Sequence, residues 1–354
     1  MHMADALISP AVGGTMWAAA AGLTAYSAKK LKEDIDEGKV PLMGVLGAFI
    51  FAAQMINFTI PATGSSGHLG GGMILAILMG PYAAFLTMAS ILTVQALFFA
   101  DGGLLALGCN IFNLGFFPCF IAYPFVYKKI IGEKPTGRGI LAGALLSGIL
   151  ALQMGAFGVV LETLFSGISE LPFWTFVLLM QPVHLAIGIV EGLVTAAVVT
   201  FVWKARPEIL EMAAASESPA HLPLKNVLAG LLVAAVITGG MLSWFASANP
   251  DGLEWSMSRT SGKEELEAPQ HGLHSFLATL QEKIAFLPDY GFKSSEKKDP
   301  AKSGEEGTQG EAAREEPWPA VSAGTSVSGL IGGIMTMVVA GLIGFGLRRY
   351  RRMG

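Results

Sequence analysis

The stretch from Gly70 to Ala100, GGGMILAILMGPYAAFLTMASILTVQALFFA, decides how the chain crosses a membrane. It is apolar and too long for one transmembrane helix, which needs roughly 20 residues to cross the ~30 Å hydrocarbon core. Gly80-Pro81 interrupts it, and a proline at that point removes a backbone donor and clashes with the preceding helical turn. We therefore predict a short half-helix, a turn at Gly80-Pro81 and a second helix, so that the stretch enters the membrane and returns.

The rest of the composition agrees with an integral membrane protein. The 354 residues are 52% hydrophobic and only 14% charged, with a mean hydropathy of +0.55, whereas soluble domains carry about 25% charged residues. Other apolar segments of spanning length are Leu7–Ala28, Leu42–Ile60, Leu104–Tyr127, Ile140–Leu164, Phe173–Trp203, Leu224–Phe245 and Val327–Leu347. Together with the Gly80-Pro81 hairpin they predict an all-α bundle of about nine transmembrane helices.

The placement of basic residues predicts the orientation of this bundle. Lys and Arg concentrate in the segments Lys29–Lys39, Lys128–Arg138, Lys204–Lys225 and Arg348–Arg352. Both are missing from the segments Pro61–Gly71, Asp101–Gly103 and Ser166–Pro172. Because short basic loops stay in the cytoplasm, we expect a multi-pass protein of the cell (cytoplasmic or inner) membrane with its amino terminus outside and its carboxy terminus inside. No basic residue precedes the first helix, so we expect no signal peptide there.

A composition shift near Ala214–Pro223 predicts two domains. Residues 1–210 would form a domain of about seven transmembrane helices, and residues 211–354 a second domain with two. An outer segment of about residues 247–322 lies between those two helices. It contains a predicted amphipathic helix from Leu273 to Phe286, followed by a tail rich in Lys, Glu, Gly and Ser that we expect to be disordered.

The first two residues, Met1 and His2, can bind a metal ion through three nitrogens. A free α-amine, the amide nitrogen of His2 and its imidazole close consecutive small chelate rings on one cation. Planar nitrogen sets suit Ni(II) and Cu(II), and the amide must lose its proton, so occupancy should fall in acid. A histidine at position 2 is incidental in most proteins, and that interpretation also stays open.

The stretch TGSSGHLGGG, residues 63–72, places His68 on the same outer side as His2. Glycines let the backbone approach a ligand closely, so His68 is a candidate for the fourth corner of the metal site. Ser65 and Ser66 are candidates for orienting it or for lining the metal pathway. The alternative is a flexible surface loop whose histidine has no role.

Four polar residues lie along or beside the predicted hairpin, namely Gln95, Asp101, Asn110 and Asn113. They could orient metal ligands by hydrogen bonds, or they could satisfy helix ends and pack helices. The sequence leaves both interpretations open.

Four further ionisable residues have two interpretations each. His184 and Glu191 are seven residues apart on one predicted helix, and they could serve function or hydrogen-bond between helices. His271 and His274 on the predicted outer helix could capture metal transiently, although we expect a solvated face.

Small residues recur at helical spacing in the first two predicted helices. The rows are Ala18, Gly22 and Ala25, and Gly44, Ala48 and Ala52. Such rows let helices approach closely in lipid, either within this chain or against another membrane subunit.

Enzymatic function has little support in the sequence. No nucleophile–base constellation is recognisable, and no G-x-x-x-x-G-K-[ST] phosphate loop is present. Active transport by this chain would therefore draw its energy from a partner or from an ion gradient.

The chain resembles the nickel/cobalt-specific component of energy-coupling-factor (ECF) transporters. The matching stretches are MHMADALISP, GSSGHLGGG, QALFFADGGLLALGCNIFN and HLAIGIVEGLVT, which together cover residues 1 to about 203. From about residue 222 the chain resembles the small two-helix N component, through NPDGLEW and LPDYGF, fused in the same polypeptide.

The resemblance implies a square-planar metal site formed by the Met1 amine, the His2 amide and imidazole, and the His68 imidazole. It implies Ni(II) as the transported substrate with Co(II) second, no catalytic cofactor, and no nucleic acid. It also implies a transmembrane T component and two cytoplasmic ATPase subunits as partners. The alternatives from other classes are a self-sufficient divalent-metal channel or carrier and a membrane metal sensor.

Overall fold

The computed structural model describes residues 2–35, 38–132, 135–210, 224–263, 266–293 and 318–353. In chain order its elements are α1 (Pro10–Asp34), α2 (Lys39–Gln54), β1 (Phe58–Ile60), β2 (Ser65–Gly67), α3 (Gly72–Met79), α4 (Pro81–Phe99), α5 (Leu107–Ile131), α6 (Gly137–Ser166), α7 (Phe173–Ala205), α8 (Lys225–Gly240), α9 (Gly252–Ser261), α10 (Gly272–Ile284) and α11 (Ala323–Met353). Short 3₁₀ turns occur at Asp5–Leu7, Leu242–Phe245 and Pro288–Tyr290. The predicted domain boundary near Ala214–Pro223 and most of the predicted disordered tail lie outside the described residues.

The predicted hairpin at Gly80-Pro81 is confirmed. The half-helix α3 ends at Met79, Gly80 adopts a φ of 80°, and α4 begins directly at Pro81. A positive φ is readily accessible to glycine, and proline at the first helical position has the φ that a helix needs. With 8 residues, α3 is about 12 Å long, so it is a half-helix beside the full-length α4.

Five helices of the described residues, α4, α5, α6, α7 and α11, are long and apolar enough to cross a membrane. The apolar helices α2 and α8 are shorter, at 16 residues each, and α1 has 25 residues but is less apolar. Each of the nine predicted segments contains a helix, but the predicted number of nine crossings exceeds the helices of the described residues that meet both criteria. Nine crossings stay a prediction.

Two details of the all-α prediction are wrong. The segment expected to continue as a helix to Ile60 leaves the helix after Gln54, because Phe58–Ile60 pairs with Ser65–Gly67 in a two-stranded antiparallel hairpin. The segment expected to continue to Phe245 leaves the α-helix at Gly240 and ends in a 3₁₀ turn.

The two rows of small residues have different environments. A Cβ at Gly44 of α2 would lie 3.1 Å from Met337 of α11, and the α2 row packs against α11 in the interior. On α1, Ala18, Gly22 and Ala25 are exposed, and no atom lies within 4 Å of a Cβ placed at Gly22. The row on α2 therefore serves internal packing, and the row on α1 faces outward.

The carboxy-terminal helix also contacts the end of α1. Lys32 Nζ lies 3.9 Å from the centroid of the Tyr350 ring, and Arg351 Nη1 donates to the Ile35 carbonyl at 2.9 Å. The basic ends of α1 and α11 therefore meet at one end of the bundle, and His2, which precedes the start of α1 at Pro10, lies toward the other end.

The outer segment covers that opposite end. The predicted amphipathic helix is confirmed as α10, and α9 precedes it as an unpredicted second helix. The α9 helix begins with a capping box in which Asp251 accepts from the Glu254 N–H at 2.9 Å and the Glu254 side chain accepts from the Asp251 N–H at 2.9 Å. This box fixes the direction of the Asp251 side chain beside the candidate site.

Candidate metal site

The segment that carries His2 is fixed by backbone hydrogen bonds to the neighbouring residue, Met3. The Met3 N–H donates to Asn110 Oδ1 at 2.8 Å, and its carbonyl accepts from Asn110 Nδ2 at 3.2 Å and from the Gly103 N–H at 2.9 Å. Asp5 accepts from the Ala106 N–H at 2.9 Å. Asn110, predicted to orient ligands, thus holds the backbone next to His2 rather than its ring.

The loop that carries His68 is fixed from two sides. The Gly70 N–H donates to Glu191 Oε2 at 2.9 Å and the Gly71 N–H to Glu191 Oε1 at 3.0 Å. The Gly70 carbonyl accepts from Gln54 Nε2 at 2.8 Å, and Gln54 Oε1 accepts from Gln95 Nε2 at 2.9 Å. Gln95 therefore fixes the side chain of Gln54, which in turn holds the backbone of this loop.

These two anchored segments bring the rings of His2 and His68 together. Their centroids are 5.0 Å apart and their planes differ by 13°. His2 Nδ1 lies 2.9 Å from Asp101 Oδ1, and His68 Nε2 lies 4.0 Å from Asp251 Oδ2. Two imidazoles and two carboxylates from four distant parts of the sequence thus form one cluster.

The hydrogen bonds of the rings indicate which nitrogens hold lone pairs. His68 Nδ1 lies 3.0 Å from the Leu69 carbonyl, which can only accept, so Nδ1 carries the proton and Nε2 holds the lone pair. Burial lowers the pKa of His68 to about 3, which keeps the ring neutral at physiological pH. His2 Nε2 is buried and has no hydrogen-bond partner among the described residues.

Asp101 is ionised at physiological pH. Burial opposes its ionisation, but the charge and hydrogen bond of His2 lower the pKa of the Asp101 carboxyl to about 2. The Tyr290 hydroxyl also donates a hydrogen bond to this carboxylate. Burial, together with the Asp101 charge, raises the pKa of Tyr290 well above its usual value, so the hydroxyl keeps its proton.

A cavity of about 590 Å³ opens beside His2 and His68 and is lined by residues 2–103 and 251–290. Its walls include the loop after α4, the start of α9 and residues of α10. The cluster therefore lies next to a space large enough for a hydrated metal ion.

The outer segment hydrogen-bonds to the β1–β2 hairpin beneath it. The Ser66 N–H donates to the Pro250 carbonyl at 2.8 Å, and the Ser66 hydroxyl donates to the Asn249 carbonyl at 2.8 Å. Trp255 Nε1 donates to the Thr63 carbonyl at 3.1 Å. Ser66 thus joins the β1–β2 hairpin to the segment before α9, while Ser65 pairs its hydroxyl with that of Thr63.

Other contacts join α10 to the end of α4, to the loop after it and to the amino-terminal segment. Gln281 Nε2 donates to the carbonyls of Ala96 and Gly102 at 2.9 and 2.8 Å. The expectation of a solvated face holds for His271, which is exposed, but is wrong for His274. His274 is buried and its Nε2 donates to the Ile8 carbonyl at 2.8 Å, because α10 packs directly on the amino-terminal segment.

Of two further predicted residues, His184 lies near the cluster and Asn113 does not. His184 is fully buried, donates from Nδ1 to the Met180 carbonyl at 2.8 Å, and lines a cavity of about 10 Å³ with His68 and Asp251. Asn113 hydrogen-bonds to Glu162 at 2.7 Å, away from both rings.

The metal ligands that the resemblance implies are main-chain nitrogens of Met1 and His2 and side-chain nitrogens of His2 and His68. Met1 lies outside the described residues. Among the described residues, no group of three or more His, Cys, Asp or Glu side chains is placed to hold a metal ion. The side chains of the described residues alone therefore do not make up a complete metal site at this cluster.

The sequence prediction missed the anchoring roles of Gln54, Asp251 and Tyr290, and it left the role of Glu191 open. A buried carboxylate in a membrane helix was the signal available for Glu191. The motifs NPDGLEW and LPDYGF contain Asp251 and Tyr290, but nothing in their spacing shows that they reach the histidines.

The chain matches two known families and several metal transport proteins. The family described as "Cobalt uptake substrate-specific transmembrane region" matches residues 2–209, and the PDGLE domain matches residues 225–349. The fused nickel transport protein NikMN of Rhodobacter capsulatus is 29% identical over 312 residues, covering 82% of this chain and 88% of that protein. The cobalt transport protein CbiM of Geobacter sulfurreducens is 30% identical over 218 residues, covering 59% of this chain and 61% of that protein.

A solved structure shares the fold of part of this chain. The crystal structure of a transition metal transporter is 30% identical, with a TM-score of 0.52, and covers 60% of this chain and 96% of that one. These matches confirm the resemblance drawn from the sequence, a nickel/cobalt-specific component fused to a second component. The chain belongs to the family of cobalt uptake substrate-specific transmembrane regions, joined in one polypeptide to a PDGLE domain.

Proposed function

We propose that this chain captures Ni(II), with Co(II) as its second substrate, at the outer face of the cell membrane and delivers it inward as a subunit of an ECF-type importer. The observation that carries the proposal is the parallel pair of His2 and His68 rings, 5.0 Å apart, beside the outer cavity. The names of the Rhodobacter and Geobacter relatives, for nickel and cobalt transport, support the choice of metals.

The proposed ligands are the Met1 amine, the amide and imidazole of His2, and Nε2 of His68. A chelate ring that includes the His2 amide must close through Nδ1, because Nε2 is too far from the amide of its own residue. Metal capture therefore exchanges the bond between Nδ1 and Asp101 for a bond to the metal. The neighbouring carboxylates of Asp101 and Asp251 attract a divalent cation without needing to bind it directly.

We further propose that the second domain controls access to this site. Its contacts with Ser66 and with the Asp101 carboxylate join it to both ligand-bearing segments. Movement of the outer segment would open the cavity and loosen the His68 loop together.

The energy for uptake would come from a transmembrane T component and two cytoplasmic ATPases, since this chain has no phosphate loop. The exposed row of Ala18, Gly22 and Ala25 on α1 supports a membrane partner, because small residues permit close helix–helix approach in lipid. The basic ends of α1 and α11, which meet at one end of the bundle, support an inside carboxy terminus and an outside amino terminus.

Uptake of radioactive nickel into vesicles tests this function. The chain is reconstituted alone, with its partner subunits, and with those subunits plus internal ATP; His68→Ala in the last condition is the control. We expect uptake only in the complete condition and its loss in the control. Uptake by the chain alone would instead show a self-sufficient carrier, and no uptake in any condition would favour a metal sensor.

A further inference from the structure

Glu191 is a buried carboxylate in α7, with 2% of its surface exposed. Burying an unpaired charge in a membrane helix is costly, so its partners indicate its role. Its two oxygens accept from the N–H groups of Gly70 and Gly71, immediately before α3 begins at Gly72. The positive end of a helix dipole lies there and adds to the stabilisation of the carboxylate.

One of these partners belongs to the same peptide group that orients His68. The Leu69–Gly70 peptide donates its N–H to Glu191 at 2.9 Å and accepts the His68 Nδ1 proton on its carbonyl at 3.0 Å. A hydrogen-bond chain thus runs from the carboxylate through one peptide to the imidazole. Hydrogen bonds in such a chain polarise one another and strengthen.

The backbone of this loop has little freedom to move away from Glu191. Gly71 has a φ of 77°, and a Cβ there would lie 2.5 Å from Ile50 Cγ2. On the far side, Gln54 holds the Gly70 carbonyl at 2.8 Å.

We propose that Glu191 is a positioning residue for metal capture, which fixes the orientation and tautomer of His68 through the Leu69–Gly70 peptide so that Nε2 presents its lone pair. This inference rests on the proposed function, because it takes His68 as a metal ligand. Partners of metal-binding histidines typically change metal affinity by about 10- to 100-fold when they are removed.

A double-mutant cycle on the full chain tests the proposal. Nickel affinity is measured by competition with a chromophoric chelator for the parent, Glu191→Gln, His68→Ala and the double variant. Glutamine keeps the size of the side chain but has only one acceptor oxygen, and its amide group must face a glycine N–H. Glu162→Gln is the matched control, because Glu162 is also a buried carboxyl in a neighbouring helix and bonds to Asn113 instead of the His68 loop.

We expect Glu191→Gln to weaken nickel binding by roughly 10-fold or more in the parent. It should not weaken binding further when His68 is already alanine. The loss of affinity in Glu162→Gln should be smaller. Equal losses in both backgrounds would show a general effect on the fold and would overturn the proposal. Unchanged affinity in Glu191→Gln, with affinity lost in His68→Ala, would overturn this inference alone. Unchanged affinity in His68→Ala would overturn the proposed function itself.

Discussion

Replacing Gly71 with alanine tests whether the fixed backbone of the His68 loop determines metal affinity. The φ of 77° at Gly71 is left-handed, and alanine pays about 1–2 kcal/mol in that conformation. The added Cβ would also lie 2.5 Å from Ile50 Cγ2 and 3.0 Å from Ile50 Cδ1, and overpacking of this kind costs about 1–3 kcal/mol.

The two costs together amount to roughly 2–5 kcal/mol. The metal-free loop of the variant can avoid this strain by moving away from α2, and nickel must then restore the conformation when it binds His68. Because each 1.4 kcal/mol is a factor of ten in affinity, we expect at least a roughly 30-fold loss of nickel affinity.

Gly64→Ala is the matched control. Gly64 also has a positive φ, 75°, but a Cβ there meets no atom within 4 Å, and it lies in the turn between β1 and β2 rather than after His68. Competition titration with a chelator gives the affinities, and thermal unfolding of the same samples reports on the fold. The reasoning is refuted if Gly71→Ala binds nickel within about threefold of the parent, or if Gly64→Ala loses as much affinity.

Three other outcomes are expected. Nickel affinity should fall at least about 100-fold per pH unit between pH 7 and 6. The Met1 amine, with an ordinary pKa of about 7.7–8.0, and the His2 amide each release a proton on binding, and a charged His2 ring releases one more, whereas the lowered pKa of His68, about 3, means that it releases none. Isothermal titration in buffers of different ionisation enthalpy counts these protons, and a count of one or fewer contradicts the ligand set. Asp251→Asn preserves the cap of α9 but removes a charge beside the metal. The rate of nickel binding, measured by stopped flow, should therefore fall by roughly tenfold. An unchanged rate at low salt would disprove this attraction. His2→Ala, or residues added before Met1, should abolish high-affinity binding in equilibrium titrations while a carboxy-terminal tag is tolerated, and full affinity in an extended chain would exclude the amine as a ligand.

Local signals in the sequence predicted the helices and their interruption at Gly80-Pro81. A proline fixes its own φ and lacks a donor, so its effect does not depend on the rest of the fold. The ends of α2 and α8 were not predictable in this way. Residues 58–60 are apolar enough to continue a helix, and only their pairing with the Ser65–Gly67 strand makes them a strand.

The candidate site was predictable in its residues but not in its anchors. His2 is recognisable from its chelating position near the amino terminus, and His68 from the glycine-lined loop in which it lies. Asp251 and Tyr290 reach the site only through the packing of the carboxy-terminal segments on residues 2–103, and Gln54 only through the packing of the end of α2 on the His68 loop. His274 shows the same limit, because its burial depends on where α10 packs.

The proposed binding of nickel in a plane of four nitrogens at His2 and His68 has a spectroscopic signature. It is read from the absorption spectrum and magnetic susceptibility of the purified, nickel-loaded protein. We expect a yellow, diamagnetic, low-spin centre that disappears in His68→Ala. A pale, paramagnetic centre, or a yellow one that persists without His68, would show that nickel is not bound in this way.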